Sequence, residues 1–474
     1  MRLPFPTLKS LALALGGALI LCSASRPDTA QTTPSLGPLR PLKSNPRYFT
    51  DGSGKAIYLT GSHTWNNFQD FRPVQHPFSY ADYLDFLQRH NHNFFRLWTW
   101  ESPQGKQWAV NPCFTVSPLP YPRTGPELAR DMLPKFNLDQ FNQEYFDRLR
   151  SRVIDARDRG VYVSIMLFQG FDVTHDGWLP WPFHPYNAFN NINGIDGDPR
   201  HTGEGKATHT LEIPAVTQRQ EAYVRKVIDT VNDLTNVLYE ISNESDPQST
   251  EWQYRMIDFI HKYEAGKPMQ HPVGMTFQWS KENNGSNKTL MNSPADWISP
   301  DASDGYGWDP PASDGSKVII SDTDHLWGAF GTQQDNEQWV WKSFLRGLNT
   351  LYMDKYDYSI FEATLPPWPS VNAMMGQTRS YAETMNLAAM VPWNELSSTR
   401  YCLADPGTEY LVYQPGSGSF YVDLSGPPTT FSVEWFNPHT SATLKGGTIR
   451  GGTHVKFVPP FAGTAVLYLK KGEI

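Results

Sequence analysis

The stretch Val237-Leu238-Tyr239-Glu240-Ile241-Ser242-Asn243-Glu244-Ser245 decides how this chain folds. Val237 to Ser242 has the length and composition of a strand, and an Asn-Glu pair follows it directly. Helical patterns flank it, Gln218 to Leu234 before and Glu251 to Glu264 after. A strand between two helices belongs to a parallel sheet. In a (β/α)8 barrel the C-terminal edge of the strands carries the chemistry. A carboxylic acid with an amide beside it at that edge is a candidate site, and the competing reading is a solvated loop.

The same alternation extends in both directions. Strands are expected at Ile57 to Thr64, Asn93 to Trp100 and Val161 to Phe168 before the stretch. After it they are expected at Val273 to Phe277, Trp297 to Ser299, Val318 to Ser321 and Thr350 to Met353. Helices are expected at Tyr80 to His90, Phe141 to Arg159, Glu337 to Leu348 and Asn372 to Met390. Eight strands alternating with helices predict a TIM barrel. The long connection Gly170 to Pro214, with Trp178, Trp181, His184 and Tyr186, and the Asn/Ser/Gly/Pro-rich stretch 280–316 are expected as binding loops. From about Leu403 the pattern changes to short strands around Tyr410, Phe420, Phe431, His454 and Ala465, parted by Gly, Pro and Ser turns. That predicts a small C-terminal antiparallel β-sandwich.

The organisation expected is therefore a leader over 1–25, a flexible lead-in over 26–43, a barrel over 44–400 and a sandwich over 401–474. In the leader, Arg2 and Lys9 precede the apolar Leu11 to Cys22, and Ser23-Ala24-Ser25 offers a small-residue cleavage site. The expected location is secreted or periplasmic. The apolar core is too short to span a membrane as a helix. Leu21 before Cys22 argues against a lipid anchor. Removing 1–25 moves the formal charge from −8 to −10. An acidic chain excludes nucleic acid as a partner, because phosphate binding needs a basic surface. Cys113 and Cys402 are expected as separate thiols. Sixteen Trp within 14% aromatic residues suit a sugar-binding cleft, although most of them serve the core. Oligomeric state is not legible.

Two regions resemble known families. Residues 45–400 resemble the apiosidase-like barrel of glycoside hydrolases, on Asn45-Pro46-Arg47-Tyr48-Phe49, Leu59-Thr60-Gly61-Ser62-His63-Thr64-Trp65, Phe95-Arg96-Leu97-Trp98, Ser242-Asn243-Glu244 and Ser321-Asp322-Thr323-Asp324-His325. Residues 403–470 resemble the collagen-binding domain of a collagenase, on Tyr410-Leu411-Val412-Tyr413, Trp435-Phe436-Asn437-Pro438 and Pro459-Pro460-Phe461. A sandwich beside a glycosidase barrel is expected to pack or hold sugar rather than bind collagen.

The resemblance implies a glycosidase with paired carboxylates, which hydrolysis of a glycosidic bond needs: one to protonate the leaving oxygen, one to attack or to activate water. Glu244 is the expected general acid, with Asn243 beside it to position substrate. The partner belongs at the end of the seventh strand. Asp322 takes the expected place and Asp324 shares its face if the strand continues. Arg96 matches the position that steadies the partner. His63, Trp65, Trp98, Trp100, Gln169, Trp279 and His325 fall at or past strand ends as candidate sugar contacts, with packing as the alternative for each. Glu101, Asp172 and Glu395 are reserve carboxylates. A metal site of Asp322, Asp324, His325 and His63 is a rival, but no ligand spacing supports it. No nucleophile elbow, phosphate loop or Cys-x-x-Cys motif occurs, and no cofactor is expected. The alternative function is non-catalytic carbohydrate or matrix binding on a degenerate barrel.

Overall fold

A computed structural model describes residues 36–72, 77–107, 110–174, 180–326, 332–353, 369–426 and 428–472. The leader over 1–25 lies outside the described residues. Eight parallel strands form the barrel: Thr60–His63, Phe94–Leu97, Tyr162–Gln169, Val237–Asn243, Val273–Thr276, Trp297–Ser299, Val318–Asp322 and Asn349–Met353. From the second to the eighth each is hydrogen-bonded to the next in sequence, and the eighth returns to the first. The first and second strands close the ring through Asn93. Its backbone N–H donates to Thr60 O at 2.9 Å, its Oδ1 accepts from Thr60 N at 2.9 Å, and its Nδ2 donates to Tyr58 O at 2.9 Å. Gly61 makes that closure possible, because a Cβ there would lie 1.9 Å from Phe94 O.

Strand ends and helix ends follow local chemistry. The second helix starts at Gln143 rather than Phe141 because the Asn142 side chain accepts from Glu144 N as its cap. The helix before the fourth strand starts at Pro214, four residues before the expected Gln218, with Pro in the first turn where no N–H is needed. Inside the barrel's lower end, Leu59, Phe94, Leu238, Trp297, Val318, Ile320 and Leu351 pack in one cluster with Leu39 and Phe49. That contact corrects one expectation. Residues 36–43 were expected to be part of a flexible lead-in, yet Arg40–Pro41 pairs antiparallel with Phe49–Thr50, and Leu39 and Leu42 are buried. Burial of such side chains stabilises by roughly 1.5–3 kcal/mol each, enough to order a short segment.

Residues 70–136 hold strands that the sequence pattern did not reveal. Asp70–Arg72, Val110–Ser117 and Gln104–Gln107 form one small antiparallel sheet, and Arg123–Leu128 pairs with Pro134–Phe136.

The C-terminal part is two-layered. Val391–Pro392, Cys402–Asp405, Glu409–Gln414, Ala465–Lys471, Thr430–Asn437 and Ala442–Arg450 lie in that order in one sheet, and Phe420–Asp423 pairs with His454–Phe457 in the other. Alternate residues face opposite ways. Cys402, Ala404, Val412 and Leu467 pack toward Phe420, Val422 and Phe457. Leu403, Leu411, Tyr413, Phe436, Val466 and Tyr468 belong instead to the main barrel core. Trp341, on the helix Gln333–Leu345, stacks on Tyr413 with centroids 5.9 Å apart, and Tyr381, on the helix Pro369–Thr384, meets Phe436 at 5.6 Å. Cys402 is a free, buried thiol, whereas the side chain of Cys113 lies outside the described residues. Among the described residues no helix is long and apolar enough to cross a membrane.

Candidate active site

Arg96, on the second strand and 1% exposed, is the hub of the C-terminal face. Its Nε and Nη2 donate to the two Glu240 oxygens at 2.8 and 2.5 Å. Its Nη1 donates to Asp322 Oδ2 at 2.9 Å and to Asp324 Oδ2 at 3.0 Å. Nη2 also donates to Asn243 Oδ1 at 2.7 Å. One guanidinium therefore serves three carboxylates and an amide, a geometry that the planar fork allows and a lysine could not reproduce.

Asp322 is held on both oxygens. Oδ1 lies 3.0 Å from His63 Nε2 and accepts the Asp324 backbone N–H at 3.0 Å, while Oδ2 faces Arg96. Burial opposes its ionisation, but His63 and Arg96 outweigh it and hold the carboxyl well below the usual range. Asp324 goes the other way. Burial first, then the charges of Glu244 and Asp322, push it well above the usual range, against the pull of Arg96. The two acids sit two residues apart on the same guanidinium and titrate oppositely, because one is saturated with donors and the other faces a further carboxylate.

Asn243 has a fixed orientation. Its Oδ1 also meets His325 Nε2 at 3.0 Å, and its Nδ2 donates to Gln169 Oε1 at 3.2 Å. Burial and Arg96 lower the His325 pKa, so the ring is neutral, with Nδ1 accepting from Ser299 Oγ at 2.7 Å and Nε2–H donating to Asn243. One amide hydrogen of Asn243 is left beyond the Gln169 contact. Glu244 follows at φ 50°, in the left-handed region, and is half-buried.

The structure thus brings Arg96, His63, Gln169, Asn243, Asp322, Asp324 and His325 into one connected network. Glu244 joins it through its charge on Asp324. Trp98 joins it as well, with the Arg96 guanidinium 4.9 Å from its ring and His63 stacked on it at 5.4 Å. Trp65 and Trp100 belong to an aromatic cluster with Trp98, Phe71 and Phe114, and Trp100 Nε1 donates to Trp65 O at 2.9 Å. That is a packing role for Trp100, which is 1% exposed. Trp279 is half-buried just past the fifth strand. Glu101 and Asp172 lie in a neighbouring cluster with His184 and His209, and Glu395 is exposed in the short helical turn Asn394–Leu396 that leads into the sandwich. Trp178 lies outside the described residues.

Sequence reasoning missed Glu240, which lies directly under Arg96. A lone carboxylate in the middle of a buried strand was the available signal, since such a charge needs a buried partner. It also missed His209 and Ser245, which no local pattern marks. A metal could be considered at Asp322, Asp324 and His325, whose ligand atoms lie within 4.8 Å of one another. The Arg96 guanidinium already occupies the position of positive charge on both carboxylates, so the donor set fits a fixed cation better than an added ion.

The model of a domain of unknown function, DUF6298, matches residues 103–281. No curated protein matches. Among solved structures, a family 5 glycoside hydrolase of Bacteroides vulgatus ATCC 8482 is similar at 13% identity with a TM-score of 0.62, over 94% of this chain and 95% of that one. A second glycoside hydrolase is similar at 12% identity with a TM-score of 0.56, over 93% of this chain and 98% of that one. At such identity the likeness is one of fold, and it extends across barrel and sandwich together. The chain therefore has the TIM-barrel fold found in glycoside hydrolases, followed by antiparallel sheets.

Proposed function

We propose that this chain is a secreted O-glycoside hydrolase acting on poly- or oligosaccharides, with Glu244 and Asp324 as its paired carboxylates. The observation that carries the reading is the placement of Asp324: buried just past the end of the seventh strand, 3.0 Å from the Arg96 guanidinium, and within reach of the charge of Glu244. A retaining hydrolysis needs the proton on Glu244 and a carboxylate at Asp324, which Arg96 is placed to hold. Glu244 gives its proton to the glycosidic oxygen as the C–O bond breaks, and Asp324 bonds to the anomeric carbon. Water then displaces Asp324 and returns a proton to Glu244. Asp322 acts as the fixed anion that sets Arg96 and His63.

The polar surroundings support a sugar as substrate. The free hydrogen of Asn243 Nδ2 suits the hydroxyl beside the reacting carbon. Trp98 Nε1, Gln169 Nε2 and His63 Nδ1 are buried with no hydrogen-bond partner among the described residues. Buried polar atoms of this kind mark ligand contacts, because leaving them unpaired is costly.

The test is a panel of aryl glycosides and of plant and bacterial polysaccharides, with products followed by proton NMR. Turnover with retained anomeric configuration is expected. Binding of a polysaccharide without any turnover would replace this reading with a non-catalytic carbohydrate-binding barrel.

A further inference from the structure

Glu244 stands at φ 50°, a backbone conformation that side chains other than glycine rarely adopt. Something must hold it there. Above the turn, Gly170 N–H donates to Asn243 O at 2.6 Å, and a Cβ on Gly170 would lie 2.2 Å from Ser245 N and 2.4 Å from Glu244 C. Below it, Ser245 is fully buried. Its hydroxyl lies 2.5 Å from Ser242 Oγ and 3.0 Å from His209 Nδ1. His209 stacks on Trp252 at 4.6 Å, with the rings 8° apart, and its Nε2 lies 3.2 Å from Glu101 Oε1. The same Glu101 oxygen accepts the Gln169 N–H at 2.7 Å, and Oε2 faces His184 Nε2 at 3.4 Å.

We infer that Glu101, His209 and Ser245 form a positioning chain that sets the backbone, and so the carboxyl, of Glu244; this rests on the acid/base reading of Glu244. The carboxylate of Glu101 fixes the proton on His209 Nε2. Nδ1 then accepts the Ser245 hydroxyl and pins the residue that follows Glu244. The order acid, His, Ser matches that of nucleophile triads. Here the serine is buried against Ser242, where no substrate reaches it, so the chain aligns rather than attacks. Three loops meet in it, those after the second, third and fourth strands. The site is thereby tied to residues that never touch the sugar.

Ser245→Ala and Glu101→Gln are compared with wild type and Glu244→Gln on 2,4-dinitrophenyl and 4-nitrophenyl glycosides, and crystal structures of both variants are solved. Displacing a catalytic group by about an ångström costs roughly 10–100-fold. The expected result is a fall in kcat of that size with KM changed less than about twofold. The loss should be larger on the 4-nitrophenyl substrate, whose departure needs more help from the acid. Ser245→Thr should restore most of the rate, and Glu244 in Ser245→Ala should leave the positive-φ region. If Glu244→Gln matches wild type, the acid/base reading falls. If Glu244→Gln is crippled while Ser245→Ala and Glu101→Gln keep their rates and the φ of Glu244, the positioning chain alone is overturned. Equal losses on both substrates would also overturn it, since a general loss of structure does not distinguish leaving groups.

Discussion

Replacing Arg96 with Met removes the one positive charge that Glu240, Asp322 and Asp324 share, at contacts of 2.5–3.0 Å. Met fills much of the same space, so the loss is chiefly electrostatic. Stranding a buried charge by deleting its partner costs roughly 3–5 kcal/mol. At about 2–4 °C per kcal/mol or less for a large domain, Tm should fall by up to roughly 6–20 °C. Arg96 is 1% exposed, so 1 M salt should change the deficit little. The pH dependence has a definite sign. Wild-type Asp322 has a lowered folded pKa, so its contribution is complete above the unfolded value near about 3.9 and is lost only as pH falls through the folded value. Asp324 has a raised one, so its penalty is absent below the unfolded value and grows as pH rises through the folded value. Without Arg96, Asp322 joins Asp324 in this second class. The deficit of Arg96→Met should therefore be larger at pH 8 than at pH 5. Calorimetric scans at both pH values measure it. A Tm within about 2 °C of wild type at pH 8, or a deficit that grows on acidification, would refute the reasoning.

Three further outcomes are expected. Asp324→Asn should abolish turnover at near wild-type Tm, because an amide there cannot bond to the anomeric carbon, whereas Asp322→Asn should lower Tm as well because it unties His63 and Arg96; turnover and calorimetry on both variants separate the two roles. Gly170→Ala should lose both activity and Tm, since its Cβ would meet the Ser245 backbone at 2.2 Å; overpacking of this kind costs roughly 1–3 kcal/mol. Trp341→Ala should destabilise by roughly 3–5 kcal/mol, with barrel and sandwich unfolding in one transition. Two separate transitions would contradict the core that Trp341 shares with Tyr413 and Phe436.

The barrel was legible because its strands are buried on both faces and its helices carry clear apolar faces. Even Trp297–Ser299, only three residues long, was expected with the bounds it has. The strands between 70 and 136 were not legible. Asp70–Arg72 and Pro134–Phe136 are three residues long and Arg123–Leu128 is largely exposed, so no period-2 pattern of buried residues forms. Cys402–Asp405 and Ala442–Arg450 were missed for different reasons. The first is only four residues long and half of it is Ala404 and Asp405, of low strand propensity, and the second is nine residues long but exposed along most of its length. At the site, strand-end position found Arg96, Asn243, Glu244, Asp322 and Asp324. It puts Asp322 ahead of Asp324 as the partner carboxylate, because strand position does not show which donors surround each carboxyl. Nor did it find Glu101, His209 and Ser245 as a chain, because that hydrogen-bond path crosses three loops.

The central claim is tested most directly by the turnover of Glu244→Gln on the best natural glycan of the panel, with folding checked by calorimetry. The substitution keeps the shape of the side chain and removes its proton. A loss of roughly 10²–10⁴-fold is expected, smaller on a 2,4-dinitrophenyl glycoside than on the glycan. Wild-type turnover of the glycan by a folded Glu244→Gln chain would contradict it.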